Sequence, residues 1–284
     1  MPEELELRTP YLRLMARAWG PAGGVPVLAL HGWLDNAASF DALAPRLPET
    51  RLVALDLPGH GGSEPRPPGV HYHFVDFIPD VVAAADALGW RQFALLGHSL
   101  GGGIASFTAA ILPERVTRLA MIEGLGPPTS NPDESPSHLR KAIVQMETLP
   151  RKRPPIYPTE EEAIQARCEA SGLSWRAAAI LVGRGLQPGE GGYGWRTDPR
   201  LRFVSPLYLS EPQILAYMTR ITVPALLICG ADGYLVKRAY MRDRYARIAD
   251  LTVTILPGGH HPHLEDPEPC ARLLAPFFAA DRAP

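Results

Sequence analysis

Cysteine is scarce in this sequence, and its three copies, Cys168, Cys229 and Cys270, are far apart along the chain. No two of them have the C-x-x-C spacing of a structural zinc site, and an odd, dispersed set does not suggest a disulfide framework. Cys229 ends an apolar run, so we expect it to be a small buried hydrophobic residue. The sequence therefore predicts a fold that is stabilised by its core rather than by cross-links.

An excess of one charge and long hydrophobic runs are also missing. The 28 Lys and Arg are balanced by 30 Asp and Glu, for a formal net charge of −2, so we expect no nucleic-acid partner. No run of 18 apolar residues occurs, which predicts no membrane span. Residues 1–18 carry several carboxylates and no apolar stretch, unlike a signal peptide, so the expected location is the cytoplasm.

The 284 residues, 46% of them apolar, suffice for one large core. Short runs rich in Val, Leu and Ile recur between glycines and prolines without polar alternation. Such runs are typical of strands in a parallel sheet that is covered on both faces. They occur at 27–30, 52–55, 93–96, 119–122, 226–229 and 251–256.

Helical periodicity separates these runs at 75–88, 100–112, 236–249 and 269–280. Alternation of strands and helices predicts an α/β fold with a mostly parallel, doubly wound sheet. The alternation stops between 127 and 220, where helices are indicated at 137–148, 160–170 and 175–184, a loop at 190–195, and no convincing strand. We therefore predict a core formed by 1–126 and 221–284, with 127–220 inserted as a helical cap.

The segment Gly97-His98-Ser99-Leu100-Gly101 has the pattern G-x-S-x-G. It follows a predicted strand and opens a predicted helix, which is the context of a nucleophilic serine on a sharp turn. Side chains at the two glycine positions would obstruct such a turn. A glycine-rich turn with a capping serine is the alternative.

The general base is expected in the loop after the last strand, where Gly258-Gly259 precedes three histidines. A histidine at the C-terminal end of a strand can reach the serine hydroxyl. We favour His260, with His261 second, and expect His261 and His263 otherwise to pack within the loop or to face solvent.

Two carboxylates compete to orient that histidine. Asp232 follows the strand at 226–229 and completes the chain order Ser99, Asp232, His260, so we predict Asp232 as the acid. Glu123 is the alternative, because it ends the strand at 119–122. Asp232 could instead be only a turn residue beside Gly233.

An oxyanion hole needs two backbone N–H groups, and we expect them from Leu100, directly after the nucleophile, and from Trp33, in the loop after an early strand. Gly32 would let the backbone approach a substrate. His31 is expected to brace the loop by hydrogen bonds; as a metal ligand it would be isolated, so no metal is predicted.

Taken together, H-G-W, D-x-P-G-H-G-x-S, G-H-S-x-G-G, G-x-D and G-H-x-x-H-x-E-D-P-E resemble the α/β-hydrolase superfamily along nearly all of the chain outside the insertion. The stretches 31–40, 123–127 and 192–198 are similar to its serine hydrolase-like subgroup. The resemblance implies an α/β-hydrolase fold, a triad of Ser99, Asp232 and His260, an oxyanion hole at Trp33 and Leu100, and a helical cap over the pocket.

The predicted function is hydrolysis of a small or medium-sized carboxylic ester through an acyl-enzyme on Ser99, without a cofactor. The alternatives are C–C bond hydrolysis, amide hydrolysis or perhydrolysis on the same triad, and a non-hydrolytic relative that binds a small molecule. The sequence indicates no oligomeric state. The candidate substrate-binding residues are His31, Gly32, His98, Trp175, Tyr193, Trp195 and Tyr208.

Overall fold

An eight-stranded sheet forms the centre of the computed structural model, which describes residues 2–149 and 154–280. Its strands lie in the order β1-β2-β4-β3-β5-β6-β9-β10, antiparallel from β1 to β4 and parallel from there to β10. The strands are β1 (Glu3–Arg8), β2 (Arg13–Trp19), β3 (Val25–Leu30), β4 (Thr50–Leu55), β5 (Phe93–His98), β6 (Val116–Ile122), β9 (Ala225–Gly230) and β10 (Leu251–Leu256). The mostly parallel sheet predicted from the apolar runs is confirmed.

Helices cover this sheet and fill the interval between β6 and β9. They are α1 (Phe77–Ala87), α2 (Leu100–Ile111), α3 (Ser135–Thr148), α4 (Glu160–Ser171), α5 (Trp175–Gly185), α6 (Glu211–Met218), α7 (Met241–Ala246), α8 (Pro262–Glu265) and α9 (Pro267–Ala279). Within the residues described, no helix combines the length and the apolar content that crossing a bilayer requires.

Two apolar clusters lie on opposite faces of the sheet and explain why its strands lack polar alternation. One contains Phe93 and Leu95 of β5 with Phe107 of α2, and the other contains Leu96 of β5 with Phe278 of α9. Because successive side chains of a strand point to opposite faces, a strand covered on both sides must be apolar throughout. The six residues of β5 are all buried accordingly.

The interval between β6 and β9 departs from the prediction in helix α6, which was not predicted, and in a hairpin. Residues 186–195, interpreted in part as a loop, contain an antiparallel hairpin of β7 (Leu186–Gly189) and β8 (Gly192–Trp195). Its turn has Gly191 and Gly192 at φ 79° and 139°, conformations that glycine adopts at no steric cost. The four-residue strands, with glycine in both, gave too short a periodic pattern to be recognised.

Candidate active site

Ser99 lies between β5 and α2 with φ 52° and ψ −113°, a backbone conformation that a serine rarely adopts. A Cβ atom added at Gly97 would lie 2.3 Å from the carbonyl oxygen of Gly101, and one added at Gly101 would lie 2.0 Å from that of Leu30. Both positions therefore require glycine for the steric reason that the motif suggested. The turn presents Ser99 at the C-terminal edge of the sheet.

His260, in the loop after β10, lies between the serine and a carboxylate. Its Nε2 is 2.9 Å from Ser99 Oγ, and its Nδ1 is 3.1 Å from Glu123 Oε2. An ionised carboxylate only accepts hydrogen bonds, so Nδ1–H is the donor to Glu123. The lone pair on Nε2 then accepts the hydrogen bond of the serine hydroxyl, which is the arrangement that a general base needs.

Glu123 directly follows β6 and is almost fully buried. Its Oε1 accepts a hydrogen bond from the amide of Gly230 (2.8 Å), and Oε2 accepts one from the amide of Tyr234 (2.7 Å) besides that of His260. Burial alone would raise the pKa of the carboxyl. The hydrogen bonds from His260 and the two amides outweigh it and lower the pKa below its ordinary value, so Glu123 is ionised at neutral pH.

The prediction that Asp232 lies against His260 is wrong, and the alternative carboxylate, Glu123, takes that place. Asp232 is exposed, with its amide bonded to the carbonyl of Gly258. The loop after β9 instead wraps around the Glu123 side chain. A Cβ atom at Gly233 would lie 2.2 Å from Glu123 Oε1, so this loop packs directly on the carboxylate.

The two predicted oxyanion donors lie on segments that are bonded to each other. Leu100 is the first residue of α2, so its N–H has no acceptor within the helix. The amide of Gly101 donates to the carbonyl of His31 (3.1 Å), which ties the turn to the loop that carries Trp33. Buried His31 braces that loop as predicted, since its Nε2 accepts from the amide of Leu57 (3.0 Å) and its Nδ1 donates to the next carbonyl (2.7 Å).

A cavity of about 600 Å³ opens above Ser99 and His260. The predicted residues Gly32, Trp33, His98 and Trp195 line it together with His261. The lining residues that the sequence did not suggest are Leu34, Asp35, Pro155, Tyr157, Ala166, Arg167, Ala170, Ser171, Thr197 and Arg202. Both polar and apolar groups therefore face the nucleophile.

The other aromatic candidates pack away from this lining. Trp175 begins α5 and is about half exposed. Tyr193 pairs with Tyr157 through backbone hydrogen bonds, and the Tyr208 ring lies 4.8 Å from that of His138, measured between ring centres. None of these three belongs to the lining of the cavity above Ser99.

A buried polar cluster lies beside the triad and was not predicted. His98 Nε2 donates to the carbonyl of His260 (2.9 Å), and its Nδ1 lies 3.5 Å from Asp35 Oδ2. His261 Nε2 is also 3.5 Å from Asp35 Oδ2, while Oδ1 pairs with Arg167. Burial lowers the pKa of His98 to about 4, so its ring is neutral at pH 7. Asp35 lies five residues after the end of β3. Its position at the C-terminal edge of the sheet could have marked it as a candidate site residue from sequence alone.

The two remaining histidines after β10 contact groups other than the serine. His263 is fully buried, and its Nε2 lies 2.9 Å from Ser39 Oγ. Burial lowers the pKa of His263 well below its ordinary value. His261 faces Asp35 rather than Ser99, which leaves His260 as the histidine bonded to the serine hydroxyl.

Known proteins resemble this chain in both sequence and architecture. Residues 25–155 match a family model described as the alpha/beta hydrolase fold. A serine hydrolase-like protein of Danio rerio is 32% identical over 287 residues, an alignment that covers 97% of this chain and 88% of that protein. The family resemblance is thus carried by nearly the whole length of the chain.

Two solved structures superpose over almost the entire molecule. A hypothetical protein from Pseudomonas aeruginosa PAO1 is 43% identical, with a TM-score of 0.92 and 98% of each chain covered. A thioesterase domain from the curacin biosynthetic pathway is 25% identical, with a TM-score of 0.86 and 99% of each chain covered. The α/β-hydrolase fold implied by the sequence motifs is therefore confirmed.

Proposed function

Because this chain belongs to the serine hydrolase-like family of the α/β-hydrolase superfamily, we propose that it hydrolyses carboxylic esters of small or medium-sized substrates through an acyl-enzyme on Ser99. One observation carries the proposal: the continuous hydrogen bonds from Ser99 Oγ through His260 to Glu123. A hydroxyl bonded to a neutral imidazole, itself held by a buried carboxylate, is an activated nucleophile.

In the first half of the reaction, His260 Nε2 takes the proton of Ser99 as Oγ attacks the ester carbonyl. Ionised Glu123 holds the proton on Nδ1 and stabilises the imidazolium that forms. The amides of Trp33 and Leu100 stabilise the oxyanion, and one such donor is typically worth about 3 kcal/mol. The imidazolium then protonates the alcohol as the C–O bond breaks.

In the second half, water replaces the departed alcohol. His260, neutral again, takes a proton from the water molecule as its oxygen attacks the acyl carbonyl. Collapse of the second tetrahedral intermediate releases the acid, and the imidazolium returns a proton to Ser99 Oγ. Each step requires groups already present at the site, so the proposal invokes no metal and no cofactor.

We propose further that residues 127–220 act as the cap that selects the substrate. This segment contributes Tyr157, Arg167, Trp195 and Arg202 to the lining above Ser99. The cavity of about 600 Å³ falls within the range of about 300–1,000 Å³ that small-molecule sites usually have. Aromatic rings and a guanidinium together suit a substrate with both an apolar and a polar part.

Thioester hydrolysis is a second candidate, supported by the similarity to the thioesterase domain. It needs the same acyl-enzyme and differs only in the leaving group, a thiolate instead of an alkoxide. Amides, C–C bonds and peracid formation could use the same three residues with other substrates. A direct comparison of substrates that share one acyl group separates these chemistries.

The test is a series of nitrophenyl esters of increasing acyl length, with the thioester and the anilide of the best acyl group. Wild type is compared with Ser99→Ala and with Ser137→Ala, a control on the exposed face of α3. We expect wild type and the control to hydrolyse the esters and Ser99→Ala to lose at least ~10⁴-fold in kcat/KM. Equal rates for wild type and Ser99→Ala across the panel would disprove the acyl-enzyme.

A further inference from the structure

Three ligand-type atoms meet beside the triad in a way that the proposed hydrolysis does not use. Asp35 Oδ2 lies 3.5 Å from His98 Nδ1 and 3.5 Å from His261 Nε2, and all three atoms lie within 4.8 Å of one another. Asp35 and His98 are almost fully buried, and His261 is largely so. The cluster is reached from the cavity above Ser99, since all three residues line it.

The hydrogen bond of His98 to the backbone leaves its other ring nitrogen facing Asp35. Its Nε2 lies 2.9 Å from the carbonyl oxygen of His260, which can only accept, so Nε2 carries the hydrogen. The other ring nitrogen, Nδ1, points at Asp35 Oδ2 from a distance of 3.5 Å. Among the described residues, neither of these buried atoms has a hydrogen-bond partner. A cation placed between these two atoms would satisfy both of them.

The same geometry is that of a metal ligand set. A histidine that binds a metal usually donates its other N–H to a carbonyl or carboxylate, as His98 does to the backbone of the last loop. Atoms bound to one tetrahedral zinc at about 2.1 Å lie about 3.4 Å apart. The two measured separations from Asp35 are 3.5 Å, so these pairs need almost no movement. The two ring nitrogens lie within 4.8 Å of each other and would have to move closer together to share one ion.

We propose that Asp35, His98 and His261 bind one divalent transition-metal ion of the zinc type, with its fourth position open to the cavity. Two imidazoles and one carboxylate form a donor set that zinc accepts, and an open fourth position is typical of a site that a cavity reaches. Arg167 pairs with the other carboxylate oxygen and partly offsets its charge, so we expect weaker binding than an uncompensated carboxylate would give.

The ion would join three segments of the chain that each carry part of the proposed catalytic machinery. Asp35 follows β3 in the loop of Trp33, His98 precedes Ser99, and His261 follows His260. Binding would therefore stabilise the C-terminal edge of the sheet against unfolding. Because binding is measured without substrate, its failure and a failure of the proposed ester hydrolysis are separate results.

The experiment strips the purified protein with a chelator and titrates it with Zn²⁺ by calorimetry, with metal content per chain after dialysis as a second readout. Co²⁺ is then substituted, and its visible absorption is recorded. His261→Gln and Asp35→Asn each remove one ligand. The controls are His71→Gln, a partly exposed histidine elsewhere, and His260→Gln, which removes the triad imidazole. Circular dichroism establishes that each variant is folded.

We expect one ion per chain in wild type and in both controls, a Co²⁺ spectrum of tetrahedral intensity, and a higher Tm with Zn²⁺. Either ligand variant should weaken binding roughly 100-fold or more. The assignment is overturned if wild type binds no ion, or if both folded ligand variants bind as wild type does. It is equally overturned if His260→Gln alone abolishes binding, because the ion would then lie at the triad.

Discussion

Replacing Glu123 by glutamine tests the acid of the triad more sharply than any other change. The carboxylate accepts three hydrogen bonds, from His260 Nδ1 and from the amides of Gly230 and Tyr234. A glutamine has one acceptor oxygen and one NH₂ group in the same space. If the glutamine oxygen takes the place of Oε1 and accepts from the Gly230 amide, the NH₂ group takes the place of Oε2, where it faces the imidazole and the Tyr234 amide. The hydrogen of His260 then shifts from Nδ1 to Nε2.

That shift removes the base, since Nε2–H can no longer accept the serine proton. The corresponding acid-to-amide change in the triad of serine proteases lowers kcat about 10⁴-fold. A similar loss for Glu123→Gln corresponds to about 5 kcal/mol in the barrier. One amide of the loop after β9 would also lose a good acceptor, at a cost of about 1–3 kcal/mol in the free energy of unfolding.

The assay compares kcat/KM on the best nitrophenyl ester for wild type, Glu123→Gln and Asp232→Asn, with urea unfolding of each. Asp232 is exposed and contributes only its backbone to the loop, so its variant should stay within about threefold of wild type. A folded Glu123→Gln variant with near-wild-type activity would refute the reasoning, and so would a larger loss for Asp232→Asn than for Glu123→Gln.

Three further outcomes follow from individual contacts. Gly101→Ala should lower the free energy of unfolding in urea by about 3 kcal/mol or more, because the new Cβ would lie 2.0 Å from the Leu30 carbonyl oxygen. Gly183→Ala is the control: no atom lies within 4 Å of a Cβ placed there, so this change should be neutral or stabilising. Burial lowers the pKa of His60 to about 3 in the folded chain. Below pH 6.5, His60 therefore becomes protonated in the unfolded chain while it stays neutral in the folded chain. Relative to His60→Gln, wild type should lose about 3 kcal/mol of stability between pH 7 and pH 4, and an unchanged difference in denaturant midpoints would contradict this. Arg202 lines the cavity, and it forms no ion pair with any residue that the structure describes. Arg202→Ala should therefore raise the KM of an ester whose acyl group carries a carboxylate several-fold, because the guanidinium can pair with that carboxylate. The KM of a neutral ester should not change.

The parallel core could be predicted from sequence because a strand that is buried on both faces appears as an uninterrupted run of apolar residues. The run at 93–96 became β5, since a strand between two covered faces has no position for a polar side chain. The antiparallel strand β2 was missed, because Arg13 and Arg17 are only partly buried and interrupt its apolar residues. Helix α7 spans only Met241–Ala246 within the predicted 236–249, where Leu235–Lys237 forms a 3-10 turn.

The proposed nucleophile and base could be predicted because local sequence determines their positions. Ser99 needs glycines two residues away on each side, and His260 follows a glycine pair at the end of a strand. The acid could not be decided in this way. Glu123 and Asp232 both follow parallel strands that end at the same edge of the sheet, and only the path of each loop determines which carboxylate turns inwards.

The backbone at the end of β6 helps to explain why Glu123, rather than Asp232, bonds to His260. Glu123 has φ 50°, Ser99 has φ 52° and Leu34 has φ 61°, and among the described residues these are the non-glycine positions with positive φ. All three stand at the C-terminal edge of the sheet around the cavity, where such conformations cost on the order of 1–3 kcal/mol each. At Glu123 the strained turn brings the carboxylate within hydrogen-bonding distance of the Gly230 and Tyr234 amides. Since the loop after β9 donates both of these bonds, it holds the Glu123 carboxylate against the imidazole, while its own Asp232 stays exposed.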